Sequence, residues 1–132
     1  MKVLVDTSVW SLALRRGGDG ESWPVRELRN LISDNLVQMI GPVRQEILSG
    51  VRDEAQFKEL EARLRAFPDL ALTPEDHVTA ARFFNLCRGK GVQGSNTDFL
   101  ICAVAVRHRL SIFTTDKDFS LYAKHLPIVL HR

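Results

Sequence analysis

The chain has 132 residues, of which 45% are hydrophobic and 26% charged. At roughly 100–200 residues per domain this is one globular domain, residues 1–132, and disorder and collagen-like repeats are excluded. Eighteen Lys+Arg against sixteen Asp+Glu give a net charge of +2. That total does not announce a nucleic-acid binder, so the placement of the charges must decide.

Lys2-Val3-Leu4-Val5 predicts a short buried strand. Asp6-Thr7-Ser8 starts a helix that Val9, Trp10, Leu12, Ala13 and Leu14 continue. Arg15-Arg16-Gly17-Gly18-Asp19-Gly20 stops it in a loop. Ser22 and Pro24 open a second helix, with Val25, Leu28, Leu31 and Ile32 at helical spacing. After the Asp34-Asn35 turn, residues 36–40 predict a second strand. Gly41-Pro42 then opens a helix carrying Val43, Glu46, Ile47 and Leu48, which Ser49-Gly50 ends.

Residues 53–67 predict an amphipathic helix with Phe57, Leu60, Leu64 and Phe67 on one face. Pro68 ends it, and Leu70-Ala71-Leu72 predicts a third strand. Thr73-Pro74-Glu75-Asp76 starts a helix reaching about Arg88, followed by a Gly-rich loop over 89–96. From Thr97 to Val106 the helix is almost wholly apolar, which marks it as buried. Residues 111–114 predict a fourth strand, a short helix starts near Phe119, and Ile128-Val129-Leu130 predicts a fifth strand. Short apolar strands alternating with helices are the pattern of a parallel sheet covered on both faces. Ligands of such sheets bind at the carboxyl ends of the strands.

Cys87 and Cys102 fall inside helical segments and suit small core residues of a reducing cytoplasm. No signal peptide is expected, since residues 1–6 form a strand-like run ending in an acid. The longest apolar run, residues 99–106, is far short of the roughly 20 residues needed to span a bilayer. His77, His108, His125 and His131 show no metal-ligand spacing and are expected at the surface. Trp10, Trp23 and the Phe83-Phe84 pair suit the core or a partner surface. The Gly-rich loop has no Walker pattern and does not follow a strand.

Four acids stand where a ligand would bind. Asp6 follows the first strand and Asp116 the fourth; Asp98 opens the buried helix, and Glu46 lies in the helix after the second strand. Clustered carboxylates repel one another unless a cation sits among them. With only oxygen donors, that cation would be a hard one such as Mg²⁺ or Mn²⁺. Each acid also has a plainer role: Asp6 as a helix cap, Glu46 on a solvated face, Asp98 as a favourable helix-dipole charge, Asp116 as a turn former. Asp118 suits an outer partner of the acids and the cap of the short helix.

Val3-Leu4-Val5-Asp6-Thr7-Ser8-Val9-Trp10 resembles the opening motif of PIN-domain nucleases. Gln45-Glu46-Ile47-Leu48-Ser49-Gly50, Asn96-Thr97-Asp98-Phe99-Leu100-Ile101-Cys102-Ala103 and Thr114-Thr115-Asp116-Lys117-Asp118-Phe119 are similar to their second, third and fourth motifs, in order. Length and motif style resemble the VapC toxins of type II toxin–antitoxin pairs. The resemblance implies a three-layer α/β/α fold with a mostly parallel central sheet of about five strands. It implies Mg²⁺- or Mn²⁺-dependent RNA hydrolysis at Asp6, Glu46, Asp98 and Asp116, leaving a 5′ phosphate and a 3′ hydroxyl. It also implies inhibition by a small cognate VapB-like antitoxin and, usually, a homodimer.

In that reading Thr7, Ser8 and Thr115 hydrogen-bond the acids, with capping and strand filling as their alternative. Arg15, Arg16, Arg44 and Lys117, with Arg88 and Lys90, would grip phosphates. Two rivals use the same residues. A phosphatase-like or receiver-like domain would use Asp6 as a phosphoryl acceptor, but a second acid two residues later and a strand-end Lys are both missing. A catalytically silent RNA-binding module would be expected to have lost an acid, and all four are present. Setting the four aside leaves 12 acids against 18 bases, a balance of +6 around the proposed pocket.

Overall fold

A computed structural model describes residues 1–14 and 22–132. Three parallel strands, β1 (Val3–Val5), β2 (Val37–Gln38) and β3 (Ser111–Phe113), lie in the order β2-β1-β3. Val3 pairs with Val37 on one side and Ser111 on the other. All three residues of β1 are buried. Successive strand side chains point to opposite faces, so both faces of the sheet are covered. The covering helices are α1 (Thr7–Leu14), α2 (Trp23–Ser33), α3 (Gly41–Leu48), α4 (Glu54–Leu64), α5 (Pro74–Gly89), α6 (Asn96–Arg107) and α7 (Asp118–Tyr122). This is the α/β/α layering expected from the sequence.

The sheet is narrower in regular strand than expected. Its two outer positions are single parallel bridges, Asp69 to Met39 and Leu130 to Ile112. The order across the sheet is therefore 69, β2, β1, β3, 130. Pro68 lies beside the first edge and Pro127 shortly before the second, and a proline has no N–H to give a ladder. The predicted third strand is held by one bond, from Leu70 N–H to the Met39 carbonyl at 2.9 Å.

Helix ends follow local chemistry. Pro24 lies in the first turn of α2, and Asn35 behind it takes a left-handed φ of 57°. Gly50, at φ 88°, turns the chain after α3. The helix predicted to run to residue 67 ends at Leu64. Arg44 of α3 takes the carbonyl of Leu64 at 3.0 Å and also bonds that of Phe67. From Phe99 to Ala105 every residue of α6 is buried, against α5 and β3 among others. Cys87 and Cys102 are buried free thiols, as expected of core residues. No helix among the described residues is long and apolar enough to cross a membrane.

From β1 the chain builds outward through β2 to Asp69, then returns to the opposite side of β1 for β3. The reversal falls between β1 and β3. Open α/β sheets bind ligands outside the carboxyl ends of their strands at such a point.

Candidate active site

Asp6 stands at that point, 6% exposed. Its N–H continues the sheet by donating to the Phe113 carbonyl at 2.8 Å. Its carbonyl starts α1 by accepting from Val9 N–H at 3.1 Å. The carboxylate does not cap. Its Oδ2 accepts two hydroxyls, Ser8 Oγ and Thr114 Oγ1, each at 2.8 Å. Ser8 Oγ in turn accepts the N–H of Thr115 at 3.1 Å. One carboxylate therefore ties the start of α1 to the segment leaving β3.

Asp98 sits in the first turn of α6, where Ser95 Oγ accepts its N–H at 3.0 Å. Its Oδ2 accepts the hydroxyl of Tyr122 in α7 at 2.7 Å. Burial pushes the Asp98 carboxyl above its ordinary value. The Tyr122 bond opposes the rise, and the charges of Asp6 and Asp116 add to it. Asp98 thus feels acids from two other segments at one end of the sheet. Asp116 follows β3, with its N–H on Thr114 Oγ1 at 3.0 Å and its Oδ1 accepting the N–H of Asp118 at 2.9 Å. Glu46 is exposed on α3, and its Oε1 accepts Thr7 Oγ1 at 2.7 Å.

Several expected contributors sit differently. Thr115 offers Asp6 no hydroxyl; Thr114, expected only as the last residue of the fourth strand, makes that bond. Asp118 does not cap the short helix. It is the first residue of α7, and the Asp116 side chain receives its N–H. Arg44 faces away from the acids: it pairs with Asp69 at 2.9 Å while bonding the carbonyls behind α4. Lys117 is exposed beside Asp116. Arg88 lies 5.5 Å over the Phe84 ring, and Lys90 follows α5. Arg15 and Arg16 lie outside the described residues. Two of the histidines expected at the surface are partly buried and paired, His108 with Asp76 and His131 with Glu27.

Among the described residues no three Asp, Glu, His or Cys side chains close around one point as a ready-made metal cage. The donor set nonetheless fits a hard cation. It is all oxygen, and the charges of Asp6 and Asp116 add to the upward push on Asp98. Among the described residues, the hydroxyls that meet Asp6 both fall on Oδ2, and the Tyr122 phenol likewise falls on Oδ2 of Asp98, whose carboxylate the Ser95 hydroxyl also stabilises. Mg²⁺ usually takes one or two carboxylates and completes its shell with water and substrate phosphates, so an open set suits it.

The PIN domain profile matches residues 3–125. A VapC ribonuclease from Mycobacterium bovis and ribonuclease VapC11 from Mycobacterium tuberculosis are each 34% identical over 127 residues, covering 92% of this chain and 92% of theirs. Among solved structures, FitAcB from Neisseria gonorrhoeae superposes with a TM-score of 0.78 at 21% identity, covering 98% of this chain and 96% of that one. VapBC2 from Rickettsia felis, bound to a DNA fragment from their promoter, superposes with a TM-score of 0.78 at 17% identity, covering 99% and 98%. At such identities the structural likeness speaks for the fold.

Proposed function

The chain belongs to the PIN-domain family, with VapC ribonucleases among its relatives, and from that premise we propose that it is the toxic endoribonuclease of a type II toxin–antitoxin pair. It hydrolyses RNA phosphodiester bonds with Mg²⁺, or Mn²⁺, held by Asp6, Asp98, Asp116 and Glu46. The observation that carries this reading is the gathering of Asp6, Asp98 and Asp116 from three segments at the sheet's switch point, tied through Ser8, Thr114 and Tyr122.

A divalent cation held there supplies an acidified water and stabilises charge developing on the phosphate oxygens. The chain's own residues do the rest. Ser8 and Thr114 hold one oxygen of Asp6 and leave the other to ligate. Thr7 holds one oxygen of Glu46, so the second can orient the attacking water or take its proton. Lys117, exposed beside Asp116, pairs with a phosphate of the strand and helps hold the scissile bond for in-line attack.

The antitoxin is a small VapB-like protein, in keeping with VapBC2 among the fold's solved neighbours. A groove of about 460 Å³, walled by Trp10, Leu14, Val25, Leu28, Ile32 and Phe67, offers it an apolar seat. The toxin acts as a cytoplasmic homodimer.

The test is cleavage of RNA with Mg²⁺ or Mn²⁺, with EDTA, and with Asp6→Ala. EDTA should abolish cleavage. The variant should lose more than the about 10–100-fold typical of a group one step removed from a metal. Equal cleavage by the variant refutes the mechanism, and phosphomonoester hydrolysis without RNA cleavage transfers Asp6 to a phosphoryl-acceptor role. Growth arrest relieved by the co-expressed neighbouring small gene tests the toxin role.

A further inference from the structure

We propose that Tyr122 is a positioning residue for Asp98: its phenol pins Oδ2, so that Oδ1 alone is presented to the pocket, and Gly94 is the seat that lets the phenol stand there. This inference rests on the reading of Asp98 as a metal ligand.

The geometry is specific to the hydroxyl. Tyr122 is 0% exposed, and its ring is held by Phe99 at 4.9 Å and Phe119 at 5.2 Å. The ring cannot follow a moving carboxylate, so Asp98 must come to the phenol, 2.7 Å away. A buried phenol needs a partner, and this one takes a carboxylate in the first turn of α6. The Gly-rich loop before α6 then has a purpose that no phosphate-cradling pattern explained. A Cβ at Gly94 would overlap the phenol oxygen, stand 2.8 Å from its ring carbon Cζ, and lie 3.0 Å from Phe99 Cε2. A phenylalanine at 122 would remove the worst of these overlaps. The missing side chain at 94 therefore serves the hydroxyl first.

A phenol also suits this post chemically. It donates one hydrogen bond and brings no positive charge, so Asp98 is oriented without being neutralised. A lysine there would orient the carboxylate and compete with the cation. Metal ligands are commonly held this way by outer partners, whose loss costs about 10–100-fold in metal affinity or activity.

The experiment compares wild type, Tyr122→Phe, Gly94→Ala and Asp98→Ala in the full chain. Mn²⁺ binding is read by electron paramagnetic resonance without RNA, cleavage is split into kcat and KM, and melting is followed in EDTA. The chain has a single tyrosine, so ultraviolet resonance Raman reads this phenol alone. Tyr122→Phe should weaken Mn²⁺ binding about 10–100-fold and lower kcat with KM for RNA unchanged. Its melting temperature in EDTA should move by no more than about 5 °C, the scale of one hydrogen bond. Gly94→Ala should weaken Mn²⁺ in the same way, and Asp98→Ala should remove the phenol's strong-donor signature. If Asp98→Ala abolishes Mn²⁺ binding while Tyr122→Phe stays within about twofold of wild type, well short of that range, the positioning role is overturned and the metal reading stands. If Asp98→Ala binds Mn²⁺ and cleaves like wild type, the metal reading fails and the inference falls with it. A Tyr122→Phe protein that loses Mn²⁺ only in proportion to lost fold also overturns it.

Discussion

Asp76→Ala should cost about 3 kcal/mol of stability, although Asp76 lies outside the candidate site. Its side chain is 0% exposed. One oxygen, Oδ2, accepts the Thr73 N–H at 2.9 Å, the reach-back half of a capping box at the start of α5. The other accepts Arg107 Nε at 2.8 Å and His108 Nε2 at 3.1 Å at the end of α6. One residue therefore pins the start of α5 to the end of α6. Losing the cap costs about 1 kcal/mol, and losing a charge-assisted bond about 1.5–3. The side chains of Arg107 and His108 are 36% and 28% exposed, so both can turn to water and the full penalty of an orphaned buried charge does not apply. Burial by itself would raise the Asp76 carboxyl, but the bonds from Thr73, Arg107 and His108 outweigh it and hold the carboxyl below its ordinary value. The unfolded chain then takes up the proton first as pH falls, near pH 3.9 for a free Asp. The stabilisation is complete above that pH and disappears as pH drops through the lower folded value. Urea titrations followed by circular dichroism at pH 7 and near pH 3 test this. The gap between variant and wild type should be about 3 kcal/mol at neutrality and shrink in acid. A gap under about 0.5 kcal/mol at pH 7, the range of an ordinary surface change, or one that is the same at both pH values, refutes the reasoning.

Arg44→Met should lower stability by about 2 kcal/mol, because the pair with Asp69 and two carbonyl bonds go with it. The salt dependence of RNA binding should be unchanged, whereas Lys117→Ala should flatten its slope by about one; loss of RNA affinity in a fully stable Arg44 variant would contradict this. Thr114→Val should reduce cleavage about 10–100-fold by taking a hydroxyl from Asp6 and the acceptor of the Asp116 N–H. Thr115→Val, which leaves those bonds in place, should cleave like wild type, and equal losses in the two variants would refute the distinction.

Local pattern was enough for much of the fold. The apolar run before Asp6 and the glycine and proline stops set the order of the elements, and the unbroken apolar stretch of α6 identified the core helix. The four candidate acids stand out by position: Asp6 and Asp116 follow strands, Asp98 lies in the first turn of α6, and Glu46 lies in the helix after β2. What local pattern cannot carry is which way a side chain faces once elements pack. Thr114 and Thr115 are chemically alike neighbours at the end of β3, and the alternation of an extended chain decides which hydroxyl reaches Asp6. Arg44 shares α3 with Glu46, but their contacts diverge, one to Asp69 and the end of α4, the other to Thr7. Tyr122 lies 24 residues from Asp98, and no spacing rule links them. The sheet edges are shorter than the apolar runs suggest: residues 70–72 and 128–130 are only partly buried or exposed, and each edge meets the sheet at a single bridge.

The two buried acids among the described residues, Asp76 and Asp6, differ in what meets them. Asp76 is met by the Arg107 guanidinium and the His108 imidazole, and its charge is spent inside the molecule. Asp6 is nearly as buried but is met only by the hydroxyls of Ser8 and Thr114. A neutral hydroxyl orients a carboxylate and leaves its negative charge in place. The same device recurs along the pocket: Thr7 holds Glu46 and Tyr122 holds Asp98. The arginine closest in sequence to Glu46 is drawn off to Asp69. Burial first, and then the charges of Asp6 and Asp116, push the Asp98 carboxyl upward, a cost that a ligating cation would offset. On the proposed function, the near-neutral total of +2 is the sum of four acids gathered for a cation and a remainder of 12 acids against 18 bases that would suit a polyanion.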